Sequence, residues 1–401
     1  MLKILQTILK ILATKILQKY HPEVIGITGS VGKTSAKEAI HTILKSKFSV
    51  QRGFKNYNNE LGVPLTIIGM EAAGKNIFGW LFILLTAAKL ILFKGENYPK
   101  ILILEMAVDK PGDMDYLTGF IRPKIGVLTR IGPVHLEKFG TQEKILQEKS
   151  KLIKSLPPTG AAILNYDCKD VLSLRDETRA KCITYGFDDG ADVRAKNILF
   201  SRGQSSFTLE IGEKSVPVVL LHGIGKPQIY AILTGIAAGI YKGMEIEEIK
   251  EALKNYYQPQ GRGNLIRGIK NTFIIDDSYN ASPQSVEAAL ENLKNLADRG
   301  RSIAVLGDML ELGIISSDAH LEIGRKVAEG KINYLFTVGM RARGIAKGAQ
   351  MAGMHKDRIY SFDDNLELGK FLKDKIEEGD TVLIKGSRGM KMEEVVEEIK
   401  L

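Results

Sequence analysis

The chain has 401 residues, enough for two or three domains that each bury a core. Its composition is 44% hydrophobic and 26% charged, which is typical of a globular protein and excludes a disordered or fibrous one. The formal net charge is +9, but the chain has no compact run of basic residues with interleaved aromatic residues. Anionic substrates or a membrane surface are therefore better suited as partners than nucleic acid. The two cysteines, Cys168 and Cys182, exclude a four-cysteine zinc site and suit a reducing cytoplasm.

Residues 1–20 predict one basic amphipathic helix. Apolar residues recur at helical spacing from Leu2 to Ile16, and the segment contains four lysines and no acidic residue. Polar residues interrupt the apolar run and no small-residue cleavage site follows, which argues against a secretory signal. Two alternatives stay open: a helix packed on the next domain, or a helix that lies in a membrane interface.

A glycine-rich turn at residues 26–35 (Gly-Ile-Thr-Gly-Ser-Val-Gly-Lys-Thr-Ser) separates a short apolar strand from a predicted helix at 36–44. Backbone N–H groups in such a turn converge with a helix N-terminus and form a site for polyphosphate. In this motif Lys33 would reach the outer phosphates and the Thr34 hydroxyl would bind Mg²⁺. The usual pattern has glycine six residues before the lysine, where this chain has Ile27.

Residues 77–93 form a second apolar segment, interrupted only by Gly79, Thr86 and Lys89. A membrane-spanning helix needs about twenty such residues, so we expect a buried or interfacial helix instead. This helix could pack against the helix predicted at 1–20. The segment before it, at 55–64, predicts a polar loop with little helical or strand character.

Apolar strands alternate with helices along the rest of the chain, which predicts an α/β fold. In the first part, strands are predicted at 101–104, 126–129 and 161–164, and helices at 142–156 and 229–241. Short alternating strands between 191 and 221 predict a small antiparallel sheet. Beyond turn residues at 258–263, strands are predicted at 272–275, 303–306, 334–338, 358–361 and 381–384, with helices between them.

These elements predict three parts. They are an amphipathic helix at 1–20, a central domain at 21–260 with an apolar insertion at about 70–98, and a C-terminal domain at 261–401. The central domain would combine a phosphate loop and parallel sheet with the small antiparallel sheet. The C-terminal domain would be a Rossmann-like, largely parallel α/β domain.

Isolated polar residues follow several predicted strands, and in open α/β sheets ligands bind beyond the carboxyl ends of the strands. They are Lys33, Glu105 and His135 in the first domain, and Asp276, Asp277, Asp308 and Lys385 in the second. Glu105 is a hard oxygen ligand suited to Mg²⁺. His135 could be a metal ligand, a base or simply a packed histidine. Lys149, on a predicted helix, would by composition alone be a solvated lysine.

Seven segments resemble those of the Mur ligase family, in the family's order. They are TGSVGKTS (28–35), NYNNELGVPLT (56–66), EMA (105–107), GPVHLEKFG (132–140), DDSYNASP (276–283), LGDMLELG (306–313) and KGSRGM (385–390). The resemblance covers about residues 22–401. It implies an ATP-dependent ligase of peptidoglycan precursor synthesis. The last three segments are similar to those of members that add D-alanyl-D-alanine to UDP-N-acetylmuramoyl-tripeptide through an acyl phosphate.

The resemblance also implies cofactors and site residues, the cofactors being ATP and Mg²⁺. Residues expected at ATP are Thr28, Gly29, Ser30, Gly32, Lys33, Thr34, Ser35, Arg262, Asp277 and Asn280. Residues expected at the substrates are Asn58, Asn59, Lys385 and Arg388. Metal ligands would be Thr34, Glu105, His135 and a carbamylated Lys149. Lys33, His135 and Lys149 would be catalytic. The expected partners are the nucleotide precursor and D-alanyl-D-alanine, without nucleic acid.

Three departures from the family pattern leave alternatives open. The helix at 1–20 occupies the place of a domain that holds uridine diphosphate in the family, so we expect that domain to be lacking. The segment 77–93 is an insertion, and both helices suggest peripheral contact with the inner face of the membrane for a cytoplasmic protein. Gln228 and Ala231 replace two asparagines that contact the nucleotide in the family. A ligase with another, lipid-linked acceptor, or a non-catalytic nucleotide-binding partner, are therefore the alternatives.

Overall fold

The fold comes from a computed structural model, which describes residues 2–54, 57–93, 95, 97–133, 136–201, 204–221, 225–297 and 300–401. The strands of these residues are β1 (Glu23–Thr28), β2 (Val50–Arg52), β3 (Ile101–Glu105), β4 (Ile125–Leu128), β5 (Ala161–Asn165), β6 (Lys181–Gly186), β7 (Val193–Ser201), β8 (Gln204–Ile211), β9 (Lys214–Leu220), β10 (Asn264–Gly268), β11 (Thr272–Asp277), β12 (Ser302–Gly307), β13 (Tyr334–Val338), β14 (Ile359–Phe362) and β15 (Thr381–Lys385).

The α-helices of the same residues are α1 (Leu2–Tyr20), α2 (Lys33–Lys45), α3 (Gly62–Ile68), α4 (Ile77–Leu92), α5 (Asp113–Thr118), α6 (Leu136–Phe139), α7 (Gln142–Lys154), α8 (Lys169–Leu172), α9 (Lys226–Tyr241), α10 (Ile246–Leu253), α11 (Pro283–Leu296), α12 (Ser316–Glu329), α13 (Arg343–Met351), α14 (Asn365–Lys375) and α15 (Glu393–Ile399). Each long helix that the sequence predicts is present, with its ends within a few residues of the predicted limits.

The first sheet has the strand order β2-β3-β1-β4-β5-β6-β7-β8-β9 in the described residues. Strands from β2 to β7 run parallel, and β7, β8 and β9 are antiparallel. The antiparallel strands predicted between 191 and 221 therefore continue the large sheet rather than standing apart. Only two residue pairs, Tyr185 with Val193 and Gly186 with Arg194, make this junction.

The second sheet has the order β10-β11-β15-β12-β13-β14 in the described residues, and only its edge strand β10 is antiparallel. Its central strands are wholly buried between helices, as near-continuous apolar runs in parallel sheets require. The predicted α/β fold class is confirmed. The domain limits at residues 20 and 260 stay predictions.

The loop predicted at 55–64 is partly wrong, because α3 begins at Gly62. Asn59 supports this start, since its side-chain oxygen accepts hydrogen bonds from the backbone N–H groups of Leu61 and Gly62 at 3.2 and 3.0 Å. A helix of seven residues with glycine and proline in its first turn gives too short a periodic pattern to be recognised from the sequence.

Helices α1 and α4 pack on each other and on α3, which lies against the first sheet. Leu9, Ala13 and Ile16 of α1 are fully buried and share one apolar cluster with Ile83 and Ala87 of α4. The alternative of a helix packed on the next domain is thus realised for one face of α1. None of the helices in the described residues combines the length and apolar character needed to cross a lipid bilayer.

Candidate active site

A cleft of about 640 Å³ lies between the two sheets, beyond the carboxyl ends of their parallel strands. Such strand ends are where open α/β sheets bind ligands. The phosphate loop, the end of β3 and the start of α9 form one wall, and the residues after β11, β12 and β15 form the other. Its lining includes Ser30, Gly32, Lys33, Thr34, Ser35, Asn58, Glu105, Gln228, Arg262, Asp277, Tyr279, Asn280, Lys385 and Arg388.

The phosphate loop has the backbone of an anion cradle. Gly29 and Gly32 have φ angles of 147° and 88°, which L side chains rarely adopt. A Cβ atom on Gly29 would also stand 2.0 Å from the Thr129 hydroxyl, so glycine is required there. The loop ends at Lys33, the first residue of α2, so the positive end of the helix dipole faces the cleft. Thr28 is wholly buried behind the loop.

Lys33 is half-buried and bends back over its own loop. Its ammonium donates to the Gly29 carbonyl at 2.8 Å and to the Ser30 carbonyl at 3.4 Å. Burial lowers the pKa of Lys33, while the Glu105 carboxylate acts in the opposite direction. The Lys33 ammonium would form stronger hydrogen bonds with phosphate oxygens, which carry negative charge, than with these two neutral carbonyls. We therefore expect it to exchange the carbonyls for phosphate.

Glu105 is a carboxylate in contact with this loop. It ends β3 directly beside Ile27 of β1, so the register of the sheet places it next to Thr34. The Thr34 hydroxyl donates to the two carboxylate oxygens at 3.3 and 3.1 Å, and the Asn58 amide lies 3.4 Å from one of them. The Lys37 ammonium lies 3.8 Å from the same carboxylate, and both side chains are buried.

Lys149 is only 2% exposed, so the sequence expectation of a solvated lysine is wrong. It lies on the buried face of α7, which Thr141 caps at its N-terminus. Burial, and then the positive charge of Lys33, lower the pKa of Lys149 well below its ordinary value, although Asp109 and Glu148 oppose the shift. Within the described part of the chain, its ammonium has no hydrogen-bond or ion-pair partner.

His135 lies outside the described residues, so the structure says nothing about its place. Within the described ranges, no group of three or more histidine, cysteine, aspartate or glutamate side chains forms a metal site. At the phosphate loop, the Glu105 carboxylate and the Thr34 hydroxyl are oxygen atoms that could serve as metal ligands.

The second sheet contributes an ion pair to the opposite wall, in which Lys385 is buried and Asp277 is half-buried. Asp277 and Lys385 end the neighbouring strands β11 and β15 in register, and their charged groups lie 2.5 Å apart. Burial raises the pKa of Asp277 and lowers that of Lys385, and each charge opposes the shift of the other. Lys385 also donates to the Asn280 carbonyl at 2.9 Å. This ammonium therefore organises the loop that follows β11.

Arg262 stands in the segment that joins the two sheets. Its guanidinium lies 3.9 Å from the centre of the Tyr279 ring, a cation–π contact that orders both side chains on one side of the cleft. Arg388 is exposed at the rim and pairs with Glu393 at 2.9 Å. Both arginines were expected at the site from the sequence, and both line the cleft.

Asn58 and Asn59 lie in different depressions of the structure. Asn58 lines the cleft beside Glu105, whereas Asn59 lines a separate depression of about 150 Å³ with Asp109, Lys110 and Lys138. Asn59 also caps α3. The structure thus gives Asn59 a local role that its neighbour lacks.

Sequence reasoning missed Lys37, Tyr279 and the part played by Gln228. The Gln228 amide donates to the Arg262 carbonyl at 2.7 Å and accepts from the Tyr256 hydroxyl at 3.0 Å. It therefore ties α9 to the segment between the sheets. Gln228 had drawn notice only as a departure from a motif, and no pattern in the sequence pairs it with Arg262.

Two family models match the chain. The Mur ligase middle domain matches residues 27–78 and 85–239, and the Mur ligase, glutamate ligase domain matches residues 261–388. Together they cover the phosphate loop and both sheets. The gap in the first match, at 79–84, falls within α4.

Curated relatives resemble the chain over nearly all of its length. The UDP-N-acetylmuramoyl-tripeptide–D-alanyl-D-alanine ligase of Bacillus subtilis (strain 168) is 32% identical, over 98% of this chain and 79% of its own. The enzyme of the same description from Escherichia coli (strain K12) is 30% identical, over 96% of this chain and 78% of its own.

Solved structures share the fold. MurF from Acinetobacter baumannii superposes with a TM-score of 0.82 at 26% identity, covering 97% of this chain and 79% of that one. The MurF ligase from Thermotoga maritima in complex with ADP gives a TM-score of 0.81 at 28% identity, covering 98% of this chain and 83% of that one.

Proposed function

The chain belongs to the Mur ligase family, and from this we propose that it is an ATP-dependent ligase that adds D-alanyl-D-alanine to UDP-N-acetylmuramoyl-tripeptide. One observation carries the proposal. A phosphate loop and a lysine–aspartate pair from two different sheets face a single cleft, as a reaction between a nucleotide and two further substrates requires. The nucleotide precursor, ATP and D-alanyl-D-alanine are the partners.

The reaction has two steps. An oxygen of the tripeptide carboxylate attacks the γ-phosphorus of ATP, the bond from phosphorus to the β-phosphate oxygen breaks, and ADP and an acyl phosphate form. The amine of D-alanyl-D-alanine then attacks the acyl carbon, phosphate leaves, and the nitrogen loses a proton as the amide forms. Lys33 and the N–H groups of the phosphate loop bind the phosphates and stabilise the charge that develops on them.

The nucleotide lies along the phosphate loop, with Ser30, Gly32, Lys33, Thr34 and Ser35 against its phosphates. Arg262, Asp277 and Asn280 contact it from the second sheet. Because these residues come from both sides of the cleft, nucleotide binding draws the two walls together and keeps water from the acyl phosphate. Asn58, Lys385 and Arg388 hold the substrates.

The donor set at Glu105 fits Mg²⁺. The Thr34 hydroxyl and the Glu105 carboxylate are both oxygen donors, within 3.3 Å of each other. Mg²⁺ commonly takes one or two protein oxygens and fills its remaining positions with water and substrate phosphate, so two donors suffice. The bound ion would neutralise phosphate charge during transfer.

Lys149 is the residue we assign to a second metal position, as a carbamate. Burial lowers the pKa of Lys149, which increases the share of its amine that is neutral, and a neutral amine can attack the carbon of CO₂. Loss of a proton from nitrogen then leaves a carbamate anion, which turns a cation into an oxygen ligand. His135 would complete this position from outside the described residues.

We place the reaction in the cytoplasm, where ATP is supplied and thiols such as Cys168 and Cys182 stay reduced. A ligase that takes a lipid-linked form of the same tripeptide is the second candidate. The exposed apolar side chains of α4 favour it.

ATP-dependent phosphate release with a panel of acceptors tests both candidates. The purified chain, supplied with ATP, Mg²⁺ and D-alanyl-D-alanine, should release phosphate with UDP-N-acetylmuramoyl-tripeptide and form the pentapeptide product. If phosphate were released only with a lipid-linked tripeptide, the lipid-linked form would be the acceptor, as in the second candidate. No release with either acceptor, while ATP still binds, would leave a nucleotide-binding protein and overturn the ligase proposal.

A further inference from the structure

The outward face of α4 is apolar where a surface helix should be polar. Phe78, Leu81, Phe82, Leu85 and Leu92 all project from it, and Phe78 is 83% exposed. Surface helices normally turn charged residues to solvent and bury one apolar stripe. Helix α4 buries Ile83 and Ala87 on its inner face and has apolar residues on both faces. An exposed apolar face of this kind marks a site of interaction with a protein or a membrane.

Helix α1 adds a second exposed apolar stripe beside it. Ile4, Ile8 and Ile11 recur at helical spacing and remain exposed, while Leu9 and Ile16 face inward. Half of the large apolar side chains that stand exposed in the described residues belong to α1 and the segment 77–93. We call these two exposed faces the apolar platform.

The two helices are fixed to each other at their C-terminal ends. The Lys19 ammonium donates to the carbonyls of Leu90, Ile91 and Phe93 at 2.9, 2.9 and 2.8 Å. The Tyr20 hydroxyl donates to the Leu90 carbonyl at 2.9 Å. These bonds satisfy carbonyls that a helix end leaves without partners, so the platform keeps one shape.

The charge around the platform is positive. Neither helix contains an acidic residue, and Glu71 is the single acidic residue in the described segments 2–22 and 69–93. Lys15 and Lys89 are exposed among the apolar side chains, and Lys75 is exposed just before α4. No ion pair engages these three lysines within the described residues. Long lysine side chains lie along apolar surface while their ammonium groups reach lipid phosphates.

We propose that the apolar platform docks on an anionic lipid bilayer, with its phenylalanine and leucine side chains among the acyl chains and its lysines at the headgroups. Helix α4 has 16 residues and a length of about 24 Å, less than the roughly 30 Å of a hydrocarbon core, so it lies in the interface. Its opposite face stays packed on α1 and α3.

This docking leaves the cleft accessible. Helix α1 leads into the start of β1, and α4 leads towards the start of β3. The phosphate loop and Glu105 lie at the carboxyl ends of these strands. The hydrogen-bonded C-terminal ends of α1 and α4 and the cleft are therefore at opposite ends of the strands. A docked protein can therefore still exchange nucleotide with solution.

Vesicle co-sedimentation of the full chain tests the proposal. Vesicles of phosphatidylcholine with about one third phosphatidylglycerol should bind the protein at least about tenfold more tightly than vesicles of phosphatidylcholine alone, and high salt should weaken this binding. The triple variant Phe78→Ser, Phe82→Ser, Leu85→Ser should lose roughly tenfold or more in vesicle affinity. The variant Lys15→Gln, Lys75→Gln, Lys89→Gln should lose the preference for phosphatidylglycerol.

Two controls separate docking from general damage. Leu199→Ser with Met351→Ser removes exposed apolar side chains far from the platform and should leave vesicle binding unchanged. The platform variants should keep nucleotide binding and thermal stability in vesicle-free buffer. Equal binding of wild type and platform variants to vesicles would overturn the proposal. So would a concentration-dependent dimer that dissociates in the triple variant Phe78→Ser, Phe82→Ser, Leu85→Ser, since a second copy would then be the occupant.

Discussion

Lys33 and Lys149 are two lysines placed close enough for one to affect the ionisation of the other. Lys33 lies at the phosphate loop and Lys149 on the buried face of α7, and the charge of Lys33 adds to burial in lowering the pKa of Lys149. Two adjacent cations are unfavourable unless an anion separates them. Polyphosphate beside Lys33, and a carbamate at Lys149, would each remove that repulsion.

Replacing Lys149 with alanine should separate catalysis from nucleotide binding. We expect turnover to fall by a factor of about 100 or more, because a charge-stabilising group is lost, while ATP affinity changes by only a few fold. Phosphate release and calorimetric ATP titration measure the two quantities. Lys47→Ala, at an exposed ion pair with Glu248, is the control. Equal loss of binding and turnover would contradict the role assigned to Lys149.

Lys37 should stabilise the fold through Glu105. Lys37→Met leaves the Glu105 carboxylate buried without the cation that lies 3.8 Å away, which should cost about 3 kcal/mol in the free energy of unfolding. The double variant Lys37→Met, Glu105→Gln removes the unpaired charge and should recover most of that loss in urea unfolding. Additive losses in the double variant would show that the two side chains act independently.

Gln228 should matter for the link between the sheets. Gln228→Ala leaves the Tyr256 hydroxyl without its acceptor and removes a donor from the Arg262 carbonyl, so unfolding should cost about 1–2 kcal/mol less. Nucleotide affinity should also fall, because Arg262 lines the cleft. Gln350→Ala, on an exposed face of α13, is the matched control for both measurements. Unchanged affinity in the Gln228 variant would separate this bond from nucleotide binding.

His320 should make stability fall in mild acid. Its Nε2 accepts from the Met309 N–H at 3.0 Å, and its Nδ1 lies 2.6 Å from the Ser316 carbonyl, so the buried ring is neutral with its proton on Nδ1. Burial lowers the pKa of His320. As pH drops below the ordinary histidine pKa, the unfolded chain therefore binds a proton at this residue while the folded chain does not. The free energy of unfolding falls in this pH range.

The variant His320→Gln measures this effect. At neutral pH we expect it to be less stable than wild type by about 1 kcal/mol, because the Met309 N–H loses a good acceptor. The difference should shrink as pH falls from about 7 to about 5, since only wild type contains the histidine. His355→Gln, at an exposed histidine, is the control. If the difference in stability stayed constant across this range, the pKa of His320 would be the same in the folded and the unfolded chain, and the prediction would be wrong.

Elements that depend on local sequence were predicted well. The buried strands β3, β12 and β15 are short apolar runs with turn signals at both ends, and the phosphate loop is a contiguous motif whose glycines need special φ angles. Helix α3 was missed because seven residues are too few for a clear period. The sequence predicts β7 in a small sheet of its own, and this is wrong because two residue pairs with β6 join it to the large sheet.

The sequence by itself determined the alternation of strands and helices, the phosphate loop and the family motifs, since each resides in consecutive residues. The tertiary structure decided which of these residues meet. The register of β1 with β3 brings Glu105 to Thr34, and that of β11 with β15 brings Lys385 to Asp277. Which face of an amphipathic helix is covered is likewise set by its neighbours. Packing therefore buries Lys149 and leaves the outer face of α4 exposed, and no local pattern contains that information.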